Sequence, residues 1–311
     1  MANLVSINAG FATIGQGAGP MIVTQKAGLF AKHGLDVTIH LMGGAVGVVR
    51  GLMDGAIQFG NLAAPALMRA VLRDKADLAF LTGGINQQFL LGRPGIENRR
   101  QLGGARIGIA GDGGLNDVLV SVVVEALEKD GVGGLSLVPG AISGRDRAEK
   151  LARGESDAEV LTPPESIEAL RRGCSSLIDF AEFGLNFAFG GIASRRSYIA
   201  EHEDITRKFI RAYVEGLHRY RTDRDFTVGV QQEYSDISDR TIAEETYDTT
   251  QPGMPRVPYP VLSALATGLK AMSKDLTEAA SADPRQFVED RYVRELDESG
   301  FIGSLYAKGG G

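Results

Sequence analysis

A glycine-rich turn is the part of this sequence best suited to hold a negatively charged group. Gly111-Asp112-Gly113-Gly114 lies between an apolar strand pattern and an apolar helical pattern. Glycines let backbone N–H groups approach a ligand, and the first turn of a helix favours negative charge. The turn therefore predicts ligand contacts at Gly113, Gly114 and Leu115. The alternative is an ordinary tight turn in which Asp112 caps the helix.

A second glycine-rich stretch, Gly15 to Gly19, follows the first strand pattern and resembles half of the dinucleotide fingerprint G-x-G-x-x-G. Its sixth position is Pro20, and His40 rather than an acidic residue stands at the end of the second strand. A dinucleotide site is therefore not favoured, and no cofactor is expected. We predict instead a loop that contacts a ligand through Ile14 and Gln16.

Further small or polar residues follow strand patterns, where an open parallel sheet binds its ligands. Asn61 offers both a donor and an acceptor, with a helix cap as the equal alternative. Asn86 and Gln87 either face a cleft or satisfy loop backbone groups, and Phe189 either stacks on a flat ligand or packs in the core. These further candidates are Gly44, Asn61, Leu62, Asn86, Gln87, Thr162 and Phe189.

No arginine stands at a predicted ligand-binding turn of this sequence. Phosphate and sulfate usually need the bidentate fork of an arginine, so neither is favoured as the ligand. Glycine N–H groups, side-chain amides and aromatic rings suit a small organic molecule. The groups that such a ligand could carry include an aromatic ring and a single carboxylate or sulfonate.

The residues that most often perform catalysis or bind metals are scarce. Cys174 is the one cysteine, which excludes an intrachain disulfide and a zinc site built on several cysteines, and it follows a helical pattern with no base beside it. We interpret it as structural. None of the four histidines has metal-ligand spacing. His40 is the best acid–base candidate, although an edge or core histidine is the more common role for such a residue.

Composition and net charge limit the classes of protein to which this chain can belong. The chain has 311 residues, 43% of them hydrophobic, and a net charge of −6 without a basic stripe, so nucleic-acid binding is not expected. No stretch is apolar enough to span a membrane, and no secretory signal is seen. The expected location is cytoplasmic if Met1 is the native start. It is periplasmic, or lipid-anchored outside the cell, if a leader has been removed.

Strand and helix patterns alternate along the first two thirds of the chain. Residues 42–68 contain two helical patterns around a short strand pattern, Ala56 to Phe59, and a similar block follows from Arg106 to Phe180. Long helical patterns come last, among them Ile205 to Arg221. This order predicts an α/β fold with mostly parallel sheets in two lobes, followed by helices that pack on the first lobe.

The chain resembles solute-binding proteins of ABC importers, of the type II periplasmic-binding-protein class. The most similar branch holds binders of alkanesulfonates, nitrate, taurine and thiamine-pyrimidine precursors. The resemblance runs to about Tyr220, and more loosely over Val288 to Leu296. It is carried by short segments in a fixed order: GPMIV (19–23) with KAGLF (26–30), GLDV (34–37), Gly43-Gly44, DGAIQFG (54–60), LGG (102–104) before RIGI (106–109), LARGESDAEVLTPP (151–164) and RRSYI (195–199).

The resemblance implies a two-lobe fold with a ligand cleft between the lobes and two crossover segments. Lobe one would take residues 1–86 and 190–311, and lobe two residues 87–189. The implied function is capture of a small organic solute by hinge closure and its delivery to a membrane permease, by a protein that is a monomer. The alternative is a cytoplasmic enzyme on the same fold, a decarboxylase, desulfinase or hydrolase-like protein acting on a small aromatic acid.

Overall fold

The computed structural model describes residues 4–85, 87–111, 113–181 and 188–307, apart from the side chains of Gln16, Ile85, Ala188 and Phe189. It is a mixed α/β structure with two five-stranded sheets. The predicted two-lobe fold with a cleft and two crossovers is confirmed.

The first sheet has the strand order β2-β1-β3-β12-β4. Strands β1, β2 and β3 pair in parallel, whereas β12 pairs antiparallel with both of its neighbours. The strands are β1 (Val5–Phe11), β2 (Leu35–Leu41), β3 (Phe59–Asn61), β4 (Leu78–Phe80) and β12 (Ile192–Arg195).

The second sheet repeats this plan, with the order β8-β7-β9-β6-β10. Strand β7 is parallel to β8 and β9, and β6 is the antiparallel strand in the fourth place. The expectation of mostly parallel sheets therefore holds, apart from one antiparallel insertion in each. The strands are β6 (Phe89–Gly92), β7 (Arg106–Ile109), β8 (Ser136–Pro139), β9 (Ala158–Leu161) and β10 (Ser175–Asp179).

Two chain segments run side by side where the chain passes between the sheets. Strand β5 (Gly84–Ile85) leads from the first sheet into the second, and β11 (Ala188–Phe189) leads back. They pair antiparallel, with Phe189 opposite Gly84. A two-stranded ribbon thus joins the lobes, which is the place where a hinge is expected.

Fourteen α-helices surround the sheets in the described part of the chain. The longest, α9, buries a stripe that includes Phe209, Tyr213 and Leu217 against α1 and α2. The helices are α1 (Gly19–Lys26), α2 (Leu29–Lys32), α3 (Ala45–Met53), α4 (Ala64–Arg73), α5 (Leu115–Lys129), α6 (Gly144–Ala152), α7 (Glu165–Arg171), α8 (Arg196–Glu201), α9 (Glu203–Thr222), α10 (Arg224–Ser235), α11 (Arg240–Thr250), α12 (Leu262–Met272), α13 (Arg291–Glu298) and α14 (Phe301–Ala307).

The apolar core continues from one lobe into the other. Helix α5 of the second sheet packs against α4 and α12, and one buried cluster includes Leu67, Leu119 and Leu265. Apolar packing therefore holds the lobes together on this side of the molecule, because separating them would expose these side chains to water.

A candidate ligand-binding cleft

A cleft lies between the carboxyl ends of strands from the two sheets. Its narrow part has a volume of about 100 Å³. The loop after β1, including Thr13 and Ile14, forms one wall together with the start of α3. The opposite wall is formed by Gly114, Leu115, Asn116, Ile142, Arg147 and Thr162, which follow β7, β8 and β9.

A wider part adjoins it, with a volume of about 660 Å³. The two parts share Ala12, Thr13, Ile14 and Ile142. The wider part is also lined by Leu41, Gly43, Ser143, Arg145, Asp146, Glu165, Ser235 and Asp236. The total space is in the range that suits a small molecule.

Five residues predicted from the sequence line this cleft: Ile14, Gly44, Gly114, Leu115 and Thr162. The side chain of Ile14 is 41% exposed and contributes to both parts of the cleft. Gly44 precedes α3 with φ +116°, a conformation that L side chains rarely adopt, so this turn of the wall favours glycine.

Other residues predicted from the sequence lie away from the cleft or outside the described residues. Asn61 is 3% exposed and lines a separate small pocket beside Tyr213, and Leu62 is fully buried in the apolar core. Gln87 and Gly113 are absent from the lining, where the neighbouring Gln88 appears instead. Outside the described residues lie Asn86, Asp112 and the side chains of Gln16 and Phe189.

The glycine-rich turn before α5 is occupied by the protein's own acceptors. The carboxylate of Asp117 accepts the N–H groups of Gly111 at 2.9 Å and Gly113 at 2.7 Å. The side-chain oxygen of Asn116 accepts the N–H of Ala110 at 2.8 Å. These three N–H groups are therefore not available to an external anion in this conformation. The Nδ2 of Asn116 is buried without a hydrogen-bond partner among the described residues, and Asn116 lines the narrow part of the cleft.

Arg147 supports the cleft wall through backbone carbonyls. Its guanidinium donates to the carbonyls of Ala141 at 2.9 Å, Ile142 at 2.7 Å and Val160 at 3.0 Å. The planar fork that a bidentate anion requires is thus directed at the loop after β8 and at β9. Arg147 is not among the residues predicted from the sequence, because no local pattern indicates which carbonyls its guanidinium reaches.

Glu165 is a buried acid at the wide part of the cleft. It is the first residue of α7, directly after Thr162-Pro163-Pro164, and its side chain is 8% exposed. Burial raises the pKa of the Glu165 carboxyl to about 7. Glu165 is not among the residues predicted from the sequence, although it lies only three residues past Thr162 on the same strand-to-helix turn.

The two residues considered for catalysis are placed differently. His40 is exposed on β2, the edge strand of the first sheet, with Nε2 2.9 Å from Oδ1 of Asn8, and it does not line the cleft. Cys174 lies in a small apolar cluster, and burial raises the pKa of its thiol. A raised thiol pKa lowers the thiolate fraction and therefore the reactivity of the cysteine.

None of the helices that the structure describes has both the length and the apolar character needed to cross a lipid bilayer.

Solved structures with this fold include two binding proteins and one enzyme. The periplasmic aliphatic sulphonate-binding protein SsuA of Escherichia coli superposes with a TM-score of 0.73 at 16% identity, over 92% of this chain and 92% of that chain. The periplasmic nitrate-binding protein NrtA of Synechocystis PCC 6803 superposes with a TM-score of 0.75 at 10% identity, over 95% and 89%. The desulfurization enzyme DSZB superposes with a TM-score of 0.70 at 16% identity, over 95% and 99%.

The fold and the cleft thus define a two-lobe protein of the periplasmic-binding-protein type. Residues 17–223 match the family model described as NMT1/THI5 like, and the chain belongs to this family. No curated protein sequence matches it.

Proposed function

We propose that this protein is the substrate-binding component of an ABC importer, which captures a small organic solute in the cleft. The observation that carries the proposal is that both lobes contribute walls to one cleft beside a two-stranded connection. A solute that touches both walls favours the closed arrangement, because it gains contacts there that the open arrangement lacks.

The lobes in this proposal are residues 1–86 with 190–311, and residues 87–189. Polar contacts between these parts run from α6 and α7 to residues around α10 and α11. Arg145 of α6 donates to the carbonyl of Ser235 at 3.0 Å. Arg171 at the end of α7 contacts Asp239 at 3.2 Å and Glu245 at 2.6 Å. Such exposed ion pairs are individually weak, so they allow the lobes to separate and rejoin.

The partner in this proposal is the membrane permease of the importer, and the protein acts as a monomer outside the cytoplasm. SsuA and NrtA are periplasmic by their own descriptions, which supports this location.

A second candidate function is enzymatic, and the likeness to DSZB favours it. The positions of His40 and Cys174 argue against it, since neither lines the cleft. A binding protein returns its solute unchanged, whereas an enzyme consumes it. This difference separates the two functions in one experiment.

The experiment is a thermal-unfolding screen of the purified protein with sulfonates, aliphatic and aromatic carboxylates, amines, pyrimidines, nitrate and sulfate. A solute at 100 times its dissociation constant adds about 2.7 kcal/mol to the free energy of unfolding. We expect at least one solute to raise the unfolding midpoint and to be recovered unchanged by chromatography after incubation. Consumption of the solute would instead support the enzyme, and the absence of any shift would contradict both.

A further inference from the structure

We propose that the solute presents an organic ammonium group to Glu165 and lays an apolar body against Ile14, Leu41 and Ile142. The inference rests on the proposed solute-binding function and adds the chemical class of the solute. An anionic head group, as in the sulphonates and nitrate named for SsuA and NrtA, is thereby disfavoured for this chain.

The first argument is the position of Glu165. Its side chain is 8% exposed, lines the wide part of the cleft, and its Oε2 is buried without a hydrogen-bond partner among the described residues. A buried acceptor without a donor is unfavourable, and a buried carboxylate without a partner more so. A ligand that brings N⁺–H donors to Oε2 removes this penalty.

The second argument is the charge that surrounds Glu165. The wide part of the cleft is lined by the acids Asp146, Glu165 and Asp236 and by the base Arg145, and a second base, Arg147, lines the adjoining narrow part, so three acids face two bases. Arg145 lies 3.6 Å from Asp236 and donates to the carbonyl of Ser235, so its charge is directed at the loop after α10. The excess of acids in a concave, partly apolar site attracts a cation and repels an anion.

Neighbouring charged groups do not supply the missing donor. The positive charges of Arg147 and Arg145 favour the ionised form of Glu165, and Glu168 on the same helix as Glu165 opposes it. The guanidinium of Arg147, on α6, nevertheless donates to three backbone carbonyls rather than to the Oε2 of Glu165. The hydroxyl of Tyr234, on α10, donates to the carbonyl of Gly15. Asp239, which caps α11, and Glu245 on α11 pair with Arg171, and β6 carries no titratable side chain.

The third argument is the apolar surface that the cleft exposes. Ile14 is 41% exposed, Leu41 54% and Ile142 41%, and all three line the wide part. Exposed aliphatic side chains that converge in one cleft gain free energy when a ligand covers them. The solute class is therefore an amine with an aliphatic or aromatic body.

The test compares three probes that share one carbon skeleton: hexylammonium, hexan-1-ol and hexane-1-sulfonate. Binding is measured by isothermal titration calorimetry at pH 8, where the Glu165 carboxyl is mostly ionised. We expect hexylammonium to bind at least tenfold more tightly than either of the other probes. Glu165→Gln should weaken hexylammonium binding at least tenfold and leave hexanol binding unchanged.

Glu168→Gln is the matched control, because it removes a carboxylate on the same helix that lies outside the cleft lining and faces Arg172. It should leave the preference for hexylammonium unchanged. A second measurement needs no variant. At pH 7, binding of hexylammonium should displace protons from Glu165, so the observed enthalpy should depend on the ionisation enthalpy of the buffer.

Three outcomes would overturn the inference: hexane-1-sulfonate binding more tightly, Glu165→Gln binding hexylammonium as the wild type does, or no probe binding at all. The solute screen then decides the proposed function separately. A bound solute of another class leaves that function standing without the ammonium assignment, whereas a screen without any bound solute removes both.

Discussion

The carboxylate of Asp117 accepts the backbone N–H of Gly113 at 2.7 Å, so the turn predicted to hold an external anion already holds an internal one. The same carboxylate accepts the N–H of Gly111 at 2.9 Å. Asp117 is thus a residue that organises the cleft wall from within α5, three residues past Gly114, the last glycine of the predicted turn.

Replacing Asp117 should loosen this turn and free it for anions. Asp117→Ala loses two charge-assisted hydrogen bonds, and we expect the free energy of unfolding to fall by about 1–3 kcal/mol. Added sulfate should restore part of the stability of the variant and have a smaller effect on the wild type, as measured by thermal unfolding. Asp275→Ala, at an exposed aspartate, is the control and should show neither change. An equal response to sulfate in all three proteins would contradict this account of the turn.

The raised pKa of Glu165 gives the free energy of unfolding a contribution that decreases as the pH rises. Its folded-state pKa is about 7, above the ordinary value of 4.5, so the folded protein binds more protons than the unfolded chain between these values. This contribution is fully present below the unfolded-state pKa and is lost as the pH rises through 7. The loss amounts to at most about 3 kcal/mol.

Glu165→Gln should therefore gain stability relative to the wild type as the pH rises from 4 to 8. Urea unfolding at several pH values measures this difference. Taking the difference between the two proteins cancels the opposite contribution of acids such as Asp157, whose pKa is lowered by Arg106. A difference that stays constant with pH would show that Glu165 titrates normally.

The ion pairs of Arg171 with Asp239 and Glu245 should affect how often the lobes separate more than they affect the free energy of unfolding. The three side chains are all partly exposed, so Arg171→Ala should change the free energy of unfolding by less than about 1 kcal/mol. The unliganded variant should nevertheless open more often, which small-angle X-ray scattering detects as a larger radius of gyration. Arg153→Ala is the control, because Arg153 pairs with Glu149 and Glu155 inside the second lobe. Equal scattering from both variants would contradict the bridging role.

Close packing at the second crossover should make Gly190 intolerant of any side chain. A Cβ at Gly190 would lie 1.2 Å from the carbonyl oxygen of Leu62, so the backbone would have to move. Gly190→Ala should cost several kcal/mol or prevent folding, in the range seen for severe steric strain. Gly229→Ala is the matched control at an exposed position of α10, where a Cβ meets nothing within 4 Å. It should stabilise by about 0.5–1 kcal/mol, as measured by chemical unfolding.

Elements with strong local periodicity could be predicted from the sequence. The second strand pattern, with His40 at its end, is β2 (Leu35–Leu41), whose sequence LDVTIHL alternates apolar and polar residues. The helical patterns predicted after Gly114 and over Ile205 to Arg221 are α5 and α9. The strand predicted over Ala56 to Phe59 is instead Phe59–Asn61. The shift arises because Ala56, Ile57 and Gln58 lead into the sheet without strand pairing of their own, whereas the apolar Ala56 and Ile57 extend the strand pattern backwards in the sequence.

The composition of the cleft was less predictable, since it depends on contacts between distant segments. A strand end places successive side chains on opposite faces, which explains why Asn61 reaches a separate pocket rather than the cleft. The carbonyl partners of Arg147 and the burial of Glu165 are set by the packing of α6 and α7 on the second sheet. No local pattern carries that information.

The place of β12 in the first sheet has a consequence for how the chain is made. Strand β12 lies between β3 and β4, although more than a hundred residues separate it from β4 along the chain. While the ribosome is still adding the second sheet, β3 and β4 have no strand between them and expose unpaired backbone groups. The second sheet, formed by one continuous stretch from β6 to β10, is complete first. The amino-terminal lobe is therefore the one that needs protection from aggregation during synthesis.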